Sequence, residues 1–276
     1  MRTVVFGSSG LLGSALCRSS APGMEIIGID RANCDITKKE QVSQAVAKYR
    51  PDVVINAAAV PDTRGCEADP SRALRVNAFG ARNCAIAAEM NGSAYVQISG
   101  NVVFAGIEEA RERREWEPVD NHVGTLAASK IAAEGYALTL SSRPLIIRTA
   151  SLFGDRKDGT PGGLVGRIRE LVGQGQKLQM VNNSWTNASF ADDVADAVLA
   201  LLGDGQLGIF HVVNKGVTSP AALASSVVEY SSLDSGLLEE TIGEREDSRL
   251  LATDLSEAAG ISMRPLNEAL AAYLTR

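Results

Sequence analysis

Three glycines, Gly7, Gly10 and Gly13, follow the short apolar run at residues 4–6 and open a stretch of helical spacing at 11–19. A turn without Cβ atoms lets the backbone approach an anion. The helix that starts there offers unpaired N–H groups and the positive end of its dipole to a phosphate. About 20 residues further on, the acid Asp30 ends the next apolar run, the position from which a carboxylate accepts hydrogen bonds from a ribose in dinucleotide-binding folds. The pattern predicts a site for NAD or NADP. Arg31 leaves the choice between the two open, because an Asp suits the 2′-hydroxyl of NAD and an Arg suits the 2′-phosphate of NADP.

Other chemistry-bearing residues are scattered. The two histidines, His122 and His211, stand far apart, and the four cysteines, at 17, 34, 66 and 84, form no C-x-x-C pair. Neither a metal site nor a disulfide framework is expected. Lys130 is a candidate acid–base group, since burial draws a lysine pKa towards neutrality. Trp185 can stack on a substrate ring or pack the lobe that carries it. Arg167 and Arg169 can meet a diphosphate, or stand as ordinary solvated arginines on a helix.

The elements that must position these residues alternate. Residues 4–6, 25–29, 53–56, 95–99 and 145–148 read as buried strands, and 11–19, 38–49, 70–90 and 127–140 carry helical spacing. Strand and helix repeated in this way demand parallel pairing with crossover helices. The expected fold is α/β, a Rossmann-type doubly wound parallel sheet over residues 1–150. A smaller C-terminal substrate lobe covers 151–276, with some of its segments returning to the sheet. Residues 155–163, rich in Gly and Pro, read as a loop. Helices are expected at 164–172, 191–202, 220–230 and 265–274, and strands near 178–181 and 208–213.

Bulk properties narrow the partners. The chain of 276 residues is 45% hydrophobic with a net charge of −6. It has no basic stripe for nucleic acid and no apolar run of membrane-spanning length. The mixed charges at 108–117 read as a solvated face. A cytoplasmic protein with a small-molecule substrate is expected, and a homodimer through the helices at 70–90 and 127–140 is one further expectation.

Longer stretches carry a family likeness. DRANCDIT at 30–37 and RPDVVINAAA at 50–59 are followed in order by Asn77-Ala78, Ile98-Ser99, Val103-Phe104, Gly106, Ser129-Lys130, Glu134, Arg148-Thr149, Gly154 and Asp193-Val194-Ala195. In these the chain resembles the dTDP-4-dehydrorhamnose reductase family of extended short-chain dehydrogenase/reductases. The resemblance implies that Gly7, Gly10, Leu11, Leu12 and Gly13 meet the pyrophosphate, and Asp30 and Arg31 the adenosine ribose. It places Asp35 and Ile36 by the adenine, Ala57, Ala58 and Ala59 beneath the cofactor, and Lys130 at the nicotinamide ribose. It also implies reduction of a keto group on a nucleotide-linked deoxysugar.

The chain departs from that family where the proton is delivered. Short-chain reductases carry a Tyr four residues before the Lys and a Ser or Thr on the preceding strand. Here those positions hold Leu126 and Gly100, and the two residues after Gly100 are Asn101 and Val102. A positioned acid contributes roughly 10²–10⁴ in rate, and an alkoxide formed in a dry site without a partner is costly. The ordinary reductase mechanism is therefore not expected. Ser99 is expected to point to the opposite face of its strand. His122, Thr125 and Lys130 are the candidate substitutes, and Asn101, Trp185 and Arg148 the candidate substrate contacts, with Arg148 alternatively just ending its strand. Three readings stay open: a repurposed enzyme acting on a nucleotide sugar or similar polar metabolite, a non-catalytic regulatory or binding subunit, and a keto-sugar reductase that uses His122 or Thr125 as its acid.

Overall fold

Six β-branched-rich segments pair in parallel into one sheet: β1 (Arg2–Phe6), β2 (Glu25–Ile29), β3 (Val53–Asn56), β4 (Ala94–Gly100), β5 (Pro144–Thr149) and β6 (Gly208–His211). Their order is β2-β1-β3-β4-β5-β6. The computed structural model describes every residue except 107–110, 120–122, 244–246 and 276. The doubly wound parallel sheet read from the sequence is the observed fold. Strand order reverses at β1, with β2 on one side and β3 on the other, and ligands of open α/β sheets bind outside the carboxyl ends at such a point.

Each strand alternates its side chains between two hydrophobic layers. Val5, Ile55, Val96 and Ile147 pack with α1 (Leu11–Arg18) and with Val194, Val198 and Leu201 of a later helix, Ala191–Gly203. Val4, Phe6, Val54, Tyr95 and Ile146 form the other layer with α2 (Lys39–Tyr49) and α3 (Ala81–Asn91). A fourth helix, α4 (Thr125–Leu140), joins this second layer through Ala137. Both β6 and the helix Ala191–Gly203 come from beyond residue 150 and complete the sheet.

A separate core lies in the C-terminal half. Phe153, Phe190 and Tyr273 gather with ring centroids 5.5–5.7 Å apart, and Ile168, Leu223, Val227 and Leu270 close around them from the helices Gly163–Gly173, Pro220–Tyr230 and Leu266–Leu274. Short strands extend this half, Leu178–Val181 beside Leu238–Thr241 and Ser184–Thr186 beside Asp247–Leu251.

The single helix expected over 70–90 is interrupted. A short turn, Pro70–Ala73, leads into a π-helix, Leu74–Gly80, before α3 begins. The wider coil turns Asn77 inward. Its Oδ1 accepts from the Val60 N–H at 2.8 Å, and its Nδ2 donates to the Val60 carbonyl at 3.1 Å and to Ser129 Oγ at 3.0 Å. Satisfying this buried amide is a physical reason for the departure from α geometry. Apolar spacing alone does not reveal it.

Candidate functional site

The turn after β1 is fixed by excluded volume. Gly7 has φ +82°, and a Cβ there would stand 2.5 Å from the Ala58 nitrogen. A Cβ at Gly13 would come within 2.1 Å of the Gly7 carbonyl oxygen. Gly10 differs, because a Cβ on it would meet only that carbonyl, at an ordinary 3.4 Å. Gly10 lines the cleft, so its missing side chain keeps room for a ligand against the N-terminus of α1.

That cleft has a volume of about 220 Å³ and is lined by Gly7, Ser9 and Gly10, by residues Arg31 and Cys34–Ile36, by Ala57–Val60, and by Arg72 and Val76. It thus brings together Gly7, Gly10, Arg31, Asp35, Ile36, Ala57, Ala58 and Ala59. Leu11 and Leu12 open α1, and the Leu12 side chain is buried in the core, so what Leu12 can offer an anion there is its backbone N–H. Asp30 lies at the rim. Its Oδ1 accepts from the Asn33 N–H at 3.2 Å and Nδ2 at 2.7 Å, and Lys157 Nζ stands 3.5 Å from Oδ2. The Asn33 amide, with help from Lys157, holds the Asp30 carboxyl below its usual range. The arrangement suits a dinucleotide: a Cβ-free approach, a helix N-terminus and a polar rim for a ribose.

Behind Val60 and Val76 of the cleft lining the packing is hydrocarbon. Leu126 is buried against Val60, Cys66, Ala73, Val76 and Val102. Gly100 is extended, and a Cβ there would meet only the Thr149 carbonyl oxygen at 3.4 Å, so the strand has space for a serine or threonine that it does not carry. Ser99 is buried, in register with Arg148 on β5, and its hydroxyl has no hydrogen-bond partner among the described residues. Lys130 Nζ donates to the Ile98 carbonyl at 3.0 Å. Desolvation pushes the Lys130 pKa down to about 8, against the opposing pull of Glu134 and Cys66.

Two expected roles are corrected by the structure. Thr125 does not present its proton to the cleft, because its hydroxyl donates to Glu67 Oε2 at 3.0 Å and its N–H to Glu67 Oε1 at 2.6 Å. This is a carboxylate cap on the first turn of α4, favoured by the helix dipole. Arg148 does not reach a substrate cleft either. It is 2% exposed, with Nε and Nη2 donating to the Glu134 carboxylate at 3.0 and 2.7 Å and Nη1 to the Glu115 carbonyl at 3.3 Å. A buried guanidinium needs this many partners to offset its desolvation. His211 lies beside it, its Nδ1 2.8 Å from the Ala252 carbonyl, and burial with the nearby Arg148 charge pushes its pKa down to about 3. His122 lies outside the described residues.

The remaining candidates stand at the junction of the two halves. Asn101 Nδ2 donates to Thr186 Oγ1 and to the Arg249 carbonyl, both at 2.8 Å, tying the end of β4 to the strands Ser184–Thr186 and Asp247–Leu251. Trp185, on the first of these strands, is 39% exposed, covered over more than half of its surface and open on the rest. Residues that sequence reasoning passed over include Arg72 in the cleft, Glu67 at the cap of α4 and Lys157 at the rim. None sits in a motif, and each arrives through a loop or short helix whose path the pattern does not fix.

All 276 residues match one family model, that of the RmlD substrate-binding domain. The chain belongs to this family. It is 30% identical to the spore coat polysaccharide biosynthesis protein SpsK of Bacillus subtilis, over 99% of the chain and 96% of that protein. It is 31% identical to a dTDP-4-dehydrorhamnose reductase of Mycobacterium tuberculosis, over 84% of the chain and 76% of that enzyme. The crystal structure of a Clostridium acetobutylicum dTDP-4-dehydrorhamnose reductase superposes with a TM-score of 0.92 at 26% identity, over 100% and 99% of the two chains. The Bacillus anthracis enzyme, solved in complex with NADP, shares the fold at a TM-score of 0.92 and 24% identity, over 99% and 98%. The family resemblance read from the sequence is thereby established.

Proposed function

We propose that this chain binds NAD(P) in the glycine cleft and acts on a nucleotide-linked sugar or a polar metabolite of similar shape, with Lys130 in place of a tyrosine as the proton-handling group. The observation that carries this reading is the Lys130 amine, held at the end of β4 by the Ile98 carbonyl with a pKa of about 8, beside a wall where Leu126 has no proton to give. When bound, the cofactor supplies or accepts hydride at its nicotinamide.

The residues of the chain do the rest. The N–H groups of the first turn of α1 hold the pyrophosphate, Asp30 and Arg31 the adenosine ribose, Asp35 and Ile36 the adenine edge, and Ala57–Ala59 the floor. Near neutral pH the Lys130 ammonium keeps a proton at Nζ, available to an oxygen that gains negative charge. Trp185 and Asn101, at the junction of the two halves, would meet the sugar.

Titration with NADH and NADPH, followed by cofactor oxidation with a nucleotide-linked 4-keto-6-deoxysugar, tests the proposal. Binding and turnover in the wild type, with turnover abolished in Lys130→Met and binding weakened less, is the expected result. Loss of turnover in His122→Ala as well would instead favour a reductase with a substitute acid. Cofactor binding without turnover of any such substrate would leave a binding subunit.

A further inference from the structure

We propose that Arg148 is a positioning residue for Lys130. By taking both oxygens of the Glu134 carboxylate, it keeps that acid from pairing with the lysine one helical turn away and leaves the lysine free to release and regain a proton. This rests on the reading of Lys130 as the proton-handling group and deepens it.

The sequence of α4, TLAASKIAAEGYALTL, carries two charges, Lys130 and Glu134. A lysine and a glutamate four residues apart are neighbours on a helix face, within reach of an ion pair. Both side chains point inward here, where little water screens an attraction. Yet among the described residues Lys130 forms no ion pair. Its Nζ donates to the Ile98 carbonyl of β4 at 3.0 Å, whereas Glu134 accepts from Arg148 Nε at 3.0 Å on one oxygen and from Nη2 at 2.7 Å on the other. A guanidinium makes this two-pronged bond and an ammonium cannot, so Arg148 outcompetes the lysine for the acid.

Further contacts fix the guanidinium. Its Nη1 donates to the Glu115 carbonyl at 3.3 Å and stands 3.4 Å from His211 Nε2. The other ring nitrogen, Nδ1, lies 2.8 Å from the Ala252 carbonyl and is its donor, so Nε2 turns a lone pair to Arg148 and the imidazole is neutral. The Phe104 ring centroid lies 5.2 Å from the guanidinium carbon. With the Arg148 and Glu134 side chains 2% and 4% exposed, neither swings out to water. Other titratable groups leave the choice to this pair. Cys66, from the helix Thr63–Ala68, also faces Lys130, with Asp62 and Glu67 near it, but burial pushes its thiol pKa up and keeps it uncharged near neutral pH. On the far side of Arg148, the Glu115 carboxylate is turned to the N–H groups of His211 and Leu255.

An NMR titration of protein carrying isotope-labelled lysine, with the Lys130 signal assigned by its loss in Lys130→Met, tests this beside the pH profile of turnover. Arg148→Met should release Glu134 to Lys130 and raise the lysine midpoint from about 8 by about one pH unit, and the alkaline limb of the rate profile should move up with it. The double variant, Arg148→Met with Glu134→Gln, removes both charges and leaves no stranded acid. Its midpoint should return to within about half a unit of wild type. Arg148→Lys keeps the charge but gives up the fork, and should raise the midpoint by a smaller step even if Arg148→Met fails to fold. An unmoved midpoint in the single variants would overturn the proposal, as would a rise that persists in the double variant and so comes from loosened packing. A midpoint that moves as expected while the rate profile stays put would overturn the reading of Lys130 as the proton-handling group, and the role of Arg148 with it.

Discussion

The glycine turn lines the cleft, the wall around Leu126 lies behind its Val60 and Val76, and the two are held in different ways. At the turn, Gly7 and Gly13 are required by atoms of the backbone itself, at 2.5 and 2.1 Å from where a Cβ would sit. At the wall, Leu126 packs among apolar side chains and Gly100 has space beside it. The first region is constrained by geometry that few residue types satisfy. In the second, Leu126 completes an apolar cluster and Gly100 leaves space unfilled, so the fold is kept with no proton donor at either position.

The strongest way to break this contrast is to restore the wall. Leu126→Tyr combined with Gly100→Ser should raise NADPH oxidation on a 4-keto-6-deoxysugar nucleotide by about 10²–10⁴, measured as initial rate. An unchanged rate would mean that the wall is not what limits reduction. Next in size is the buried pair that backs it: Arg148→Met should cost about 3–5 kcal/mol in urea unfolding by stranding Glu134, whereas a role for Arg148 in substrate binding alone would leave stability intact.

The glycines divide the turn into structural and binding positions. Gly7→Val should destabilise the protein by about 2–4 kcal/mol and abolish dinucleotide binding. Gly10→Val should keep the melting temperature within a few degrees and lose binding alone, as seen by paired thermal and fluorescence measurements. Equal destabilisation by both would erase the distinction.

Proton chemistry gives a graded effect. With Lys130 titrating near 8, turnover that uses its ammonium should fall roughly tenfold per pH unit above that value. The stability sign is opposite. The folded amine loses its proton near 8 and the unfolded one near the ordinary lysine value of 10.5, so folding carries a penalty below about 8 that is relieved as pH rises from there towards the unfolded value. A rate profile flat from pH 7 to 10 would remove Lys130 from the chemistry. Smallest of all, Thr125→Ala should cost about 0.5–1 kcal/mol through its Glu67 cap and leave turnover unchanged. A large loss of turnover in this variant would return Thr125 to the candidate acids.

The strands and the glycine turn were legible because their signals are local: apolar runs of strand length, and glycines placed by backbone clash. The departure at Leu126 and Gly100 was legible for the same reason, as a spacing with the wrong residue in it. The partners of Thr125 and Arg148, Glu67 and Glu134, were not legible, because they lie 58 and 14 residues away and no pattern pairs them; of the two readings open for Arg148, the one that has it end its strand is the one observed. Lys157 was invisible for a related reason. It reaches Asp30 across 127 residues, through a loop whose path depends on how the C-terminal half seats on α1.

The π-helix at Leu74–Gly80 sets a limit on how this wall can change. Its turns hold more residues than those of an α-helix, so the stretch behaves as a helix that has taken in one extra residue. Removing one residue would let it relax to α geometry with α3 still in phase with the turn at Pro70–Ala73, and the change would fall on the direction of the side chains within the stretch. Asn77 would then swing away from both Val60, next to the alanine floor, and Ser129, next to Lys130. A single deletion there would leave the helices in place and still unlink floor and lysine, because the one amide that bridges them would no longer face inward.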